Sequence, residues 1–268
     1  MIEGSTTALR DGGTGYLGVL GGMGPLATTD FMIKLLNATP ARWDQEHVPA
    51  IIRSVPQIPD RSAFILGTGP SPLEHLAAGV QQLVRSGAAR IAIPCNTAHF
   101  WHEELSRLSP VPIFHIVESV ADHLQDRTPR AALGLLATEG TYRAGIYQRR
   151  LSERGHDVIL PQPERIARLI TPGIHAVKAG NLSAGLTLLA DAADGLFDRG
   201  AERVIMACTE IPVVLTPETY PRYRDLVDAT SALARSCAAW WADARARSLP
   251  LNHTNTIAPD SEDQIDGR

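Results

Sequence analysis

Two cysteines, each at the end of a short apolar run, are the residues with the clearest potential for chemistry. Cys95 follows the run Ile91–Pro94, and Cys208 follows the run Val204–Ala207. Each run predicts a short buried strand that ends where its cysteine begins. Open α/β sheets bind their ligands at the carboxyl ends of strands, so each thiol is predicted to lie where a substrate would bind.

The surroundings of the two cysteines repeat along the chain. The segment Leu17–Leu20 precedes Cys95 and the similar segment Leu133–Leu136 precedes Cys208, with a glycine second in each. This repeat predicts two α/β halves of similar length, each offering one thiol to a cleft between them. Two opposed acid/base groups suit a reaction in which a proton leaves one face of a carbon and returns to the other.

A single free cysteine is most often a small buried hydrophobic residue, and that interpretation applies here to Cys237, which lies in an Ala- and Trp-rich helical stretch. Cys95 and Cys208 differ because each occupies the same strand-to-helix context in matching halves. A helix beginning after each strand would point N–H groups and partial positive charge at the thiol. We therefore expect both cysteines to be functional, with the thiolate form favoured.

Composition narrows the class of protein. The chain has 268 residues, which suffices for one large or two small domains, and a net charge of -4, which argues against a nucleic-acid partner or an anionic membrane. Its apolar runs are too short for a membrane span, and residues 1–15 contain no signal-peptide core. Three cysteines, an odd number, fit a reducing compartment. We expect a cytoplasmic protein.

Predicted strands alternate with predicted helices, which indicates an α/β fold with mainly parallel sheets flanked by helices. One further strand is predicted at Ile113–Ile116, and the interval Thr171–Asn181 is assigned neither helix nor strand. The tails, residues 1–15 and 248–268, are polar and predicted to be disordered.

Two basic residues are candidate anion ligands. Arg61 follows a stiff loop with two prolines, where a guanidinium could grip a carboxylate in a bidentate way. Lys178 is one of two lysines in the chain, the other being Lys34, and it precedes a Gly-Asn turn. From the residues alone, a solvated surface position is the simpler interpretation of each.

Two other motifs carry weaker signals. The stretch Gly22–Ala27 matches a dinucleotide-binding fingerprint, but Asp44 precedes the second strand instead of closing it, so we expect these glycines to let backbone amides approach a small carboxylate. His99 and His102 follow Cys95 at spacings seen in metal sites and Cys–His pairs. No fourth ligand is spaced nearby, and we expect neither role and no metal.

Seven ordered motifs between Tyr16 and Arg247 resemble the aspartate/glutamate racemase family, most closely its aspartate racemase branch. The motifs are Gly21–Thr28, Asp44–His47, Pro56–Arg61, Pro94–His99, Gly134–Thr138, Val177–Asn181 and Cys208–Glu210.

The resemblance implies a cofactor-independent racemase of two pseudo-symmetric α/β domains with the site between them. It implies that Cys95 and Cys208 are the catalytic pair, and that Arg61 and Lys178 hold the side-chain carboxylate of a small acidic amino acid. Further substrate-binding positions implied by it are Asn96, Thr97, Thr138 and Thr209 around the α-carboxylate and ammonium, with Met23 and Gln57 lining the pocket.

The resemblance also implies domain boundaries and a homodimer. Because the closing helix of the family packs back on the first domain, we predict a first domain of residues 16–119 plus 225–247 and a second of residues 120–224. Ala207 departs from the family, which usually has glycine there, and its methyl group either crowds the pocket or packs in the interior.

Aspartate is the expected substrate, with glutamate or a broader set of amino acids as alternatives. A different class, a dicarboxylate-binding protein with unused thiols, also fits the residues. A pyridoxal phosphate racemase would need a Schiff-base lysine, and neither lysine has the surroundings for one.

Overall fold

The computed structural model describes residues 15–125 and 130–248. The first half of the chain contains β1 (Tyr16–Gly21), α1 (Pro25–Ala38), β2 (Ala50–Ser54), α2 (Arg61–Ile65), α3 (Leu73–Arg85), β3 (Ala88–Ala92), a 3-10 turn (Thr97–Trp101), α4 (His102–Leu108) and α5 (Ile116–Gln125).

The second half repeats the alternation of strands and helices. It contains β4 (Ala132–Ala137), α6 (Glu139–Ala144), α7 (Ile146–Glu153), β5 (Asp157–Ile159), α8 (Pro163–Arg165), a π-helical turn (Ile166–Ile170), α9 (Thr171–Lys178), α10 (Leu182–Phe197), β6 (Arg203–Ala207), α11 (Ile211–Val214), β7 (Leu226–Asp228) and α12 (Ala229–Ser248).

The strands form two sheets, with the orders β2-β1-β3 and β5-β4-β6-β7, and every pairing between these strands is parallel. The predicted α/β fold with parallel sheets flanked by helices is therefore confirmed. β1 lies at the centre of the first sheet, as β4 lies inside the second. Cys95 follows β3, which pairs with β1, and Cys208 follows β6, which pairs with β4. Both thiols therefore lie at the carboxyl ends of their strands.

Three apolar clusters stabilise this arrangement. A central cluster joins inward-facing residues of β1 and β4, such as Leu17 and Leu135, to helices α1, α5, α7 and α12. The two outer clusters lie on the opposite faces of the sheets, one including Cys95 and the other including Cys208. Cys237 is fully buried in the central cluster. β4 and β6 are buried on both faces, and their alternate residues join the central cluster and the outer cluster of the second sheet.

The closing helix and the last strand pack against different halves of the molecule. α12 packs on α1 and α5, whereas β7 pairs with β6 in the second sheet. The predicted boundary at residue 225 would place β7 with the first domain, and its pairing instead places Leu226–Asp228 with the second sheet. The domain boundaries stay a prediction, and the predicted disordered tails, apart from residues 15 and 248, lie outside the described residues.

Two local predictions differ from the structure. Ile113 forms only an isolated bridge to Ile91, and Ile116 already begins α5, so the predicted strand at Ile113–Ile116 was wrong. Most of the interval assigned no regular structure, Thr171–Lys178, is helix α9. In the described part of the chain, no helix has the length and apolar character to cross a membrane.

Candidate active site

One polar cavity lies where the carboxyl ends of the two sheets meet. It brings together nine of the ten predicted site residues: Met23, Arg61, Cys95, Asn96, Thr97, Thr138, Lys178, Cys208 and Thr209. The tenth, Gln57, is exposed and does not line this cavity, because the following residue, Ile58, is the one that turns into the core. Asp60, Ser62 and Glu210 complete the lining.

Each half contributes one cysteine to this cavity. Cys95 and Cys208 are each 5% exposed, which is consistent with thiols that open only into the cavity. Ala207, the departure from the family pattern, is fully buried in the central apolar cluster and does not line the cavity. Its methyl group therefore packs in the interior and does not crowd the pocket.

Asn96 presents a free amide donor in the site. Its side-chain oxygen Oδ1 accepts a hydrogen bond of 2.5 Å from the hydroxyl of Tyr147, which is itself fully buried. This bond fixes the orientation of the amide, whose Nδ2 is buried and has no partner within the described residues. A buried unsatisfied donor is costly, so Nδ2 is suited to an anionic oxygen of a ligand.

Three threonine hydroxyls form a closed triangle that joins the two halves. Thr97 Oγ1 lies 3.0 Å from Thr138 Oγ1 and 2.9 Å from Thr141 Oγ1, and the last two lie 3.0 Å apart. Thr138 also caps helix α6, because its side-chain oxygen accepts a hydrogen bond from the backbone amide of Thr141.

Gly140 allows a second close contact between the halves. A Cβ atom on Gly140 would lie 2.6 Å from Ser62 Cα, so glycine is required for α6 and α2 to approach this closely.

Glu210 is a buried carboxylate beside the second thiol. Its Oε2 accepts a hydrogen bond of 3.0 Å from Cys208 Sγ, and Glu210 is 4% exposed. Burial, together with the charge of Glu210, raises the pKa of Cys208 well above its ordinary value. The prediction that a helix start favours thiolate was therefore wrong for Cys208, because the one-turn helix α11 does not offset a buried carboxylate in contact with sulfur.

The other carboxylate oxygen of Glu210 reaches the opposite half. A Cβ atom on Gly24, at the start of α1, would lie 3.2 Å from Glu210 Oε1. The sequence predicted that these glycines let backbone amides approach a small carboxylate. Glu210 Oε1 lies beside Gly24, and the approach of the amides to a carboxylate stays a prediction. The glycine-rich turn thus lets a residue of the second half fold against the first.

Two cations, Lys178 and Arg61, line the cavity together with this carboxylate. Burial lowers the pKa of Lys178, but the negative charge of Glu210 outweighs it and raises the pKa above its ordinary value, so Lys178 is protonated. Lys178 is exposed overall, yet it lines the cavity. It forms no ion pair within 4.0 Å in the part of the chain that the structure describes. Its charge is therefore available to a ligand.

Arg61 is 8% exposed and most of its guanidinium is bonded to the backbone. Nη1 donates to the carbonyls of Ile58 and Pro59 at 3.1 and 3.0 Å, and Nη2 donates to the carbonyl of Met23 at 3.3 Å. Nε is buried without a partner among the described residues. Three of the five N–H donors thus hold the loop, which leaves two, one of them on Nε, for a carboxylate.

A larger outer cleft adjoins the cavity. Its volume is about 510 Å³, and it shares Met23, Asp60, Arg61, Lys178 and Glu210 with the inner cavity. Its remaining lining is mostly apolar and is formed by Gly22, Gly24, Pro25, Leu26, Pro56, Ile58 and Val177. We call the charged residues that line both the cavity and the cleft the collar: Asp60, Arg61, Lys178 and Glu210.

Sequence reasoning missed several residues that build the site. Glu210 lies in a matched motif, and its position two residues after Cys208 is the signal that could have identified it. Thr141 and Tyr147 carried no such signal, because their contacts with Thr97 and Asn96 depend on how the two halves pack.

Comparison with known proteins places the chain among racemases. The family model described as Asp/Glu/Hydantoin racemase matches residues 20–237. The broad specificity amino-acid racemase RacX of Bacillus subtilis is 27% identical over 232 residues, which cover 82% of this chain and 95% of that protein. A glutamate racemase of Deinococcus radiodurans is 27% identical over 196 residues, covering 72% of this chain and 62% of that protein.

A solved structure agrees with this placement over its full length. The Picrophilus torridus aspartate racemase superimposes with a TM-score of 0.75 at 27% sequence identity, covering 88% of this chain and 100% of that one. The range matched by the family model, residues 20–237, includes both cysteines. The chain belongs to the Asp/Glu/hydantoin racemase family.

Proposed function

We propose that this racemase interconverts L- and D-aspartate, with Cys95 and Cys208 as the two acid/base groups. The observation that carries the proposal is that one cysteine from each half lines a single cavity that also contains Arg61 and Lys178. Two thiols suit proton transfer at both faces of an α-carbon, and two cations suit a substrate with a second carboxylate.

The proposed reaction moves one proton at each face of the substrate. One cysteine, as thiolate, removes the α-proton and becomes a thiol. The electron pair of the broken Cα–H bond stays on the α-carbon and the adjoining carboxylate. The other cysteine, as thiol, delivers its proton to the opposite face and becomes a thiolate. The product is the other enantiomer, and the enzyme has exchanged the roles of its two sulfurs.

Glu210 supplies a reason for Cys208 to start as the acid. Its carboxylate accepts the S–H of Cys208, and burial together with that negative charge keeps the thiol protonated. When Cys208 has given its proton away, the resulting thiolate lies in the field of protonated Lys178, which favours the charged form. In the reverse direction, we propose that Cys208 as thiolate removes the α-proton.

Recognition of the substrate follows from the unsatisfied donors. We propose that Asn96 Nδ2 and the hydroxyls of Thr97, Thr138 and Thr209 bind the α-carboxylate and ammonium. The negative charge that develops when the α-proton leaves is stabilised by such fixed donors. At the collar, Arg61 and Lys178 are proposed to bind the side-chain carboxylate, through Nε–H and Nζ respectively.

The choice of aspartate rests on the full-length match to an aspartate racemase structure. A second candidate, racemisation of several amino acids, is favoured by the outer cleft. That cleft offers apolar space beyond the collar, and Asp60 and Glu210 add negative charge that a dicarboxylate does not need. The similarity to a broad specificity amino-acid racemase supports the same candidate.

A circular-dichroism assay across the L-amino acids distinguishes these candidates. Aspartate turnover faster than that of asparagine, alanine and longer side chains is the expected result, with minor glutamate turnover, since one methylene changes selectivity by only ~1–3 kcal/mol. Fast turnover of an uncharged or basic amino acid, unaffected by Arg61→Leu, would instead establish broad specificity and reject the aspartate proposal.

A further inference from the structure

The backbone carbonyl of Cys95 is held by a side chain. In the described part of the chain, its oxygen has His99 Nδ1 as hydrogen-bond partner, at 2.9 Å. This carbonyl belongs to the peptide plane that joins Cys95 to Asn96. Because that plane is rigid, its orientation sets where both the thiol and the amide project from the backbone. One imidazole thus holds a single unit from which two lining residues of the cavity extend.

The second half achieves the same restraint in a different way. There the carbonyl of Cys208 accepts a backbone hydrogen bond of 3.1 Å from the amide of Ile211, three residues later. In the first half the backbone amide of His99 donates to Asn96 instead, at 3.0 Å, which leaves the Cys95 carbonyl to the imidazole. The His99 ring therefore replaces a turn hydrogen bond that the other half makes with its backbone.

The surroundings of His99 limit it to one proton. It is 3% exposed and packs against the rings of His102 and His115, with ring centroids 5.8 and 5.1 Å away. Burial, reinforced by His102, lowers the pKa of His99 to about 4. The ring is neutral near pH 7 and has a single N–H, although both of its nitrogens face carbonyl oxygens.

The two contacts of His99 differ in length. Nδ1 lies 2.9 Å from the Cys95 oxygen, whereas Nε2 lies 3.3 Å from the Phe114 oxygen. The shorter contact favours Nδ1 as the protonated nitrogen, since a strong N–H···O bond has a length near 2.9 Å. The histidine therefore contacts the backbone of the cysteine and not its sulfur, which separates this role from that of a general base.

We propose that His99 is a positioning residue that donates from Nδ1–H to the Cys95 carbonyl and thereby fixes the Cys95–Asn96 peptide plane at the cavity. The proposal rests on the proposed function, because Cys95 must act on the substrate for its placement to affect turnover. It assigns His99 no contact with the substrate.

Three variants separate positioning from a general loss of folding. His99→Asn places an amide N–H near the position of Nδ1, His99→Gln places one near Nε2, and His102→Asn alters a neighbouring ring that bonds to the Ile113 carbonyl. We expect His99→Gln to lower kcat by ~100-fold, the scale for a misplaced catalytic group, and His99→Asn to stay within ~3-fold of the wild type. His102→Asn should leave kcat unchanged. Thermal melts report the folded fraction of each variant.

A measurement on the wild-type protein tests the proposal without any variant. Nitrogen-15 NMR of labelled histidines distinguishes the two neutral tautomers, and His99 should be protonated at Nδ1. An Nε2–H tautomer would overturn the proposal, as would equal kcat values for His99→Asn and His99→Gln at equal folded fraction. If wild-type protein racemises no amino acid, the proposed function fails, whereas the tautomer still reports whether His99 holds the Cys95 carbonyl.

Discussion

Thr141→Val is the variant whose effect can be worked out most directly from the structure. Thr141 is fully buried, and its hydroxyl takes part in two of the three hydrogen bonds of the threonine triangle. Valine has the same shape but no hydroxyl, so both bonds are lost while Thr97 and Thr138 keep the bond between them, at 3.0 Å. At about 1 kcal/mol net for each bond, the free energy of unfolding should fall by about 2 kcal/mol.

Urea unfolding with linear extrapolation measures this change. Thr141→Ser is the matched control, because it keeps the hydroxyl and loses one methyl group, at a cost of about 1 kcal/mol. Since Thr97 and Thr138 are proposed ligands, Thr141→Val should also lower kcat/KM for aspartate, whereas Thr141→Ser should not. A valine variant within about 0.5 kcal/mol of the wild type would refute the view that the triangle joins the two halves.

Three further predictions concern charge. Lys178→Leu should cost roughly 2–5 kcal/mol in kcat/KM for aspartate and little for alanine, as steady-state kinetics would show. Glu210→Gln should lower kcat by at least ~100-fold, because the variant lacks the negative charge that keeps Cys208 protonated as the acid. A pH–rate profile identical to that of the wild type would contradict this role. The free energy of unfolding should fall from pH 7 to pH 5. The reason is that the pKa values of His99 and His115 lie below the unfolded value near 6.5, so the unfolded state binds more protons in this range. Each imidazole can contribute at most about 1.4 kcal/mol per pH unit. Urea titrations across this range measure the slope, and a flat profile would refute the assignment.

Much of the fold was predictable because it depends on short-range pattern. The repeated apolar runs before Cys95 and Cys208 predicted buried parallel strands, and the structure confirms strands that end just before both residues. The strand predicted at Ile113–Ile116 failed for a related reason. Its β-branched residues favour a strand, but Ile116 is needed as the first buried residue of α5, so only one bridge forms.

The candidate site was predictable in membership but not in its electrostatics. The resemblance brought nine lining residues together, and most of those motifs follow strand ends, whereas Lys178 ends helix α9. It did not predict that Arg61 donates to three backbone carbonyls, or that Glu210 accepts from the sulfur of Cys208. Such contacts depend on turn conformation and on the packing of the two halves, which residue patterns do not encode.

The central claim is tested most directly by following the α-proton of aspartate in deuterated solvent, with wild-type protein, Cys95→Ser, Cys208→Ser and, as a matched control, Cys237→Ser. Proton NMR measures exchange and circular dichroism measures racemisation. We predict that either active-site substitution lowers racemisation by at least ~100-fold while exchange persists for one enantiomer, a different one in each variant. Cys237 lies in the central core, and its substitution should leave both rates nearly unchanged. Racemisation at the wild-type rate by Cys208→Ser would contradict the two-thiol account.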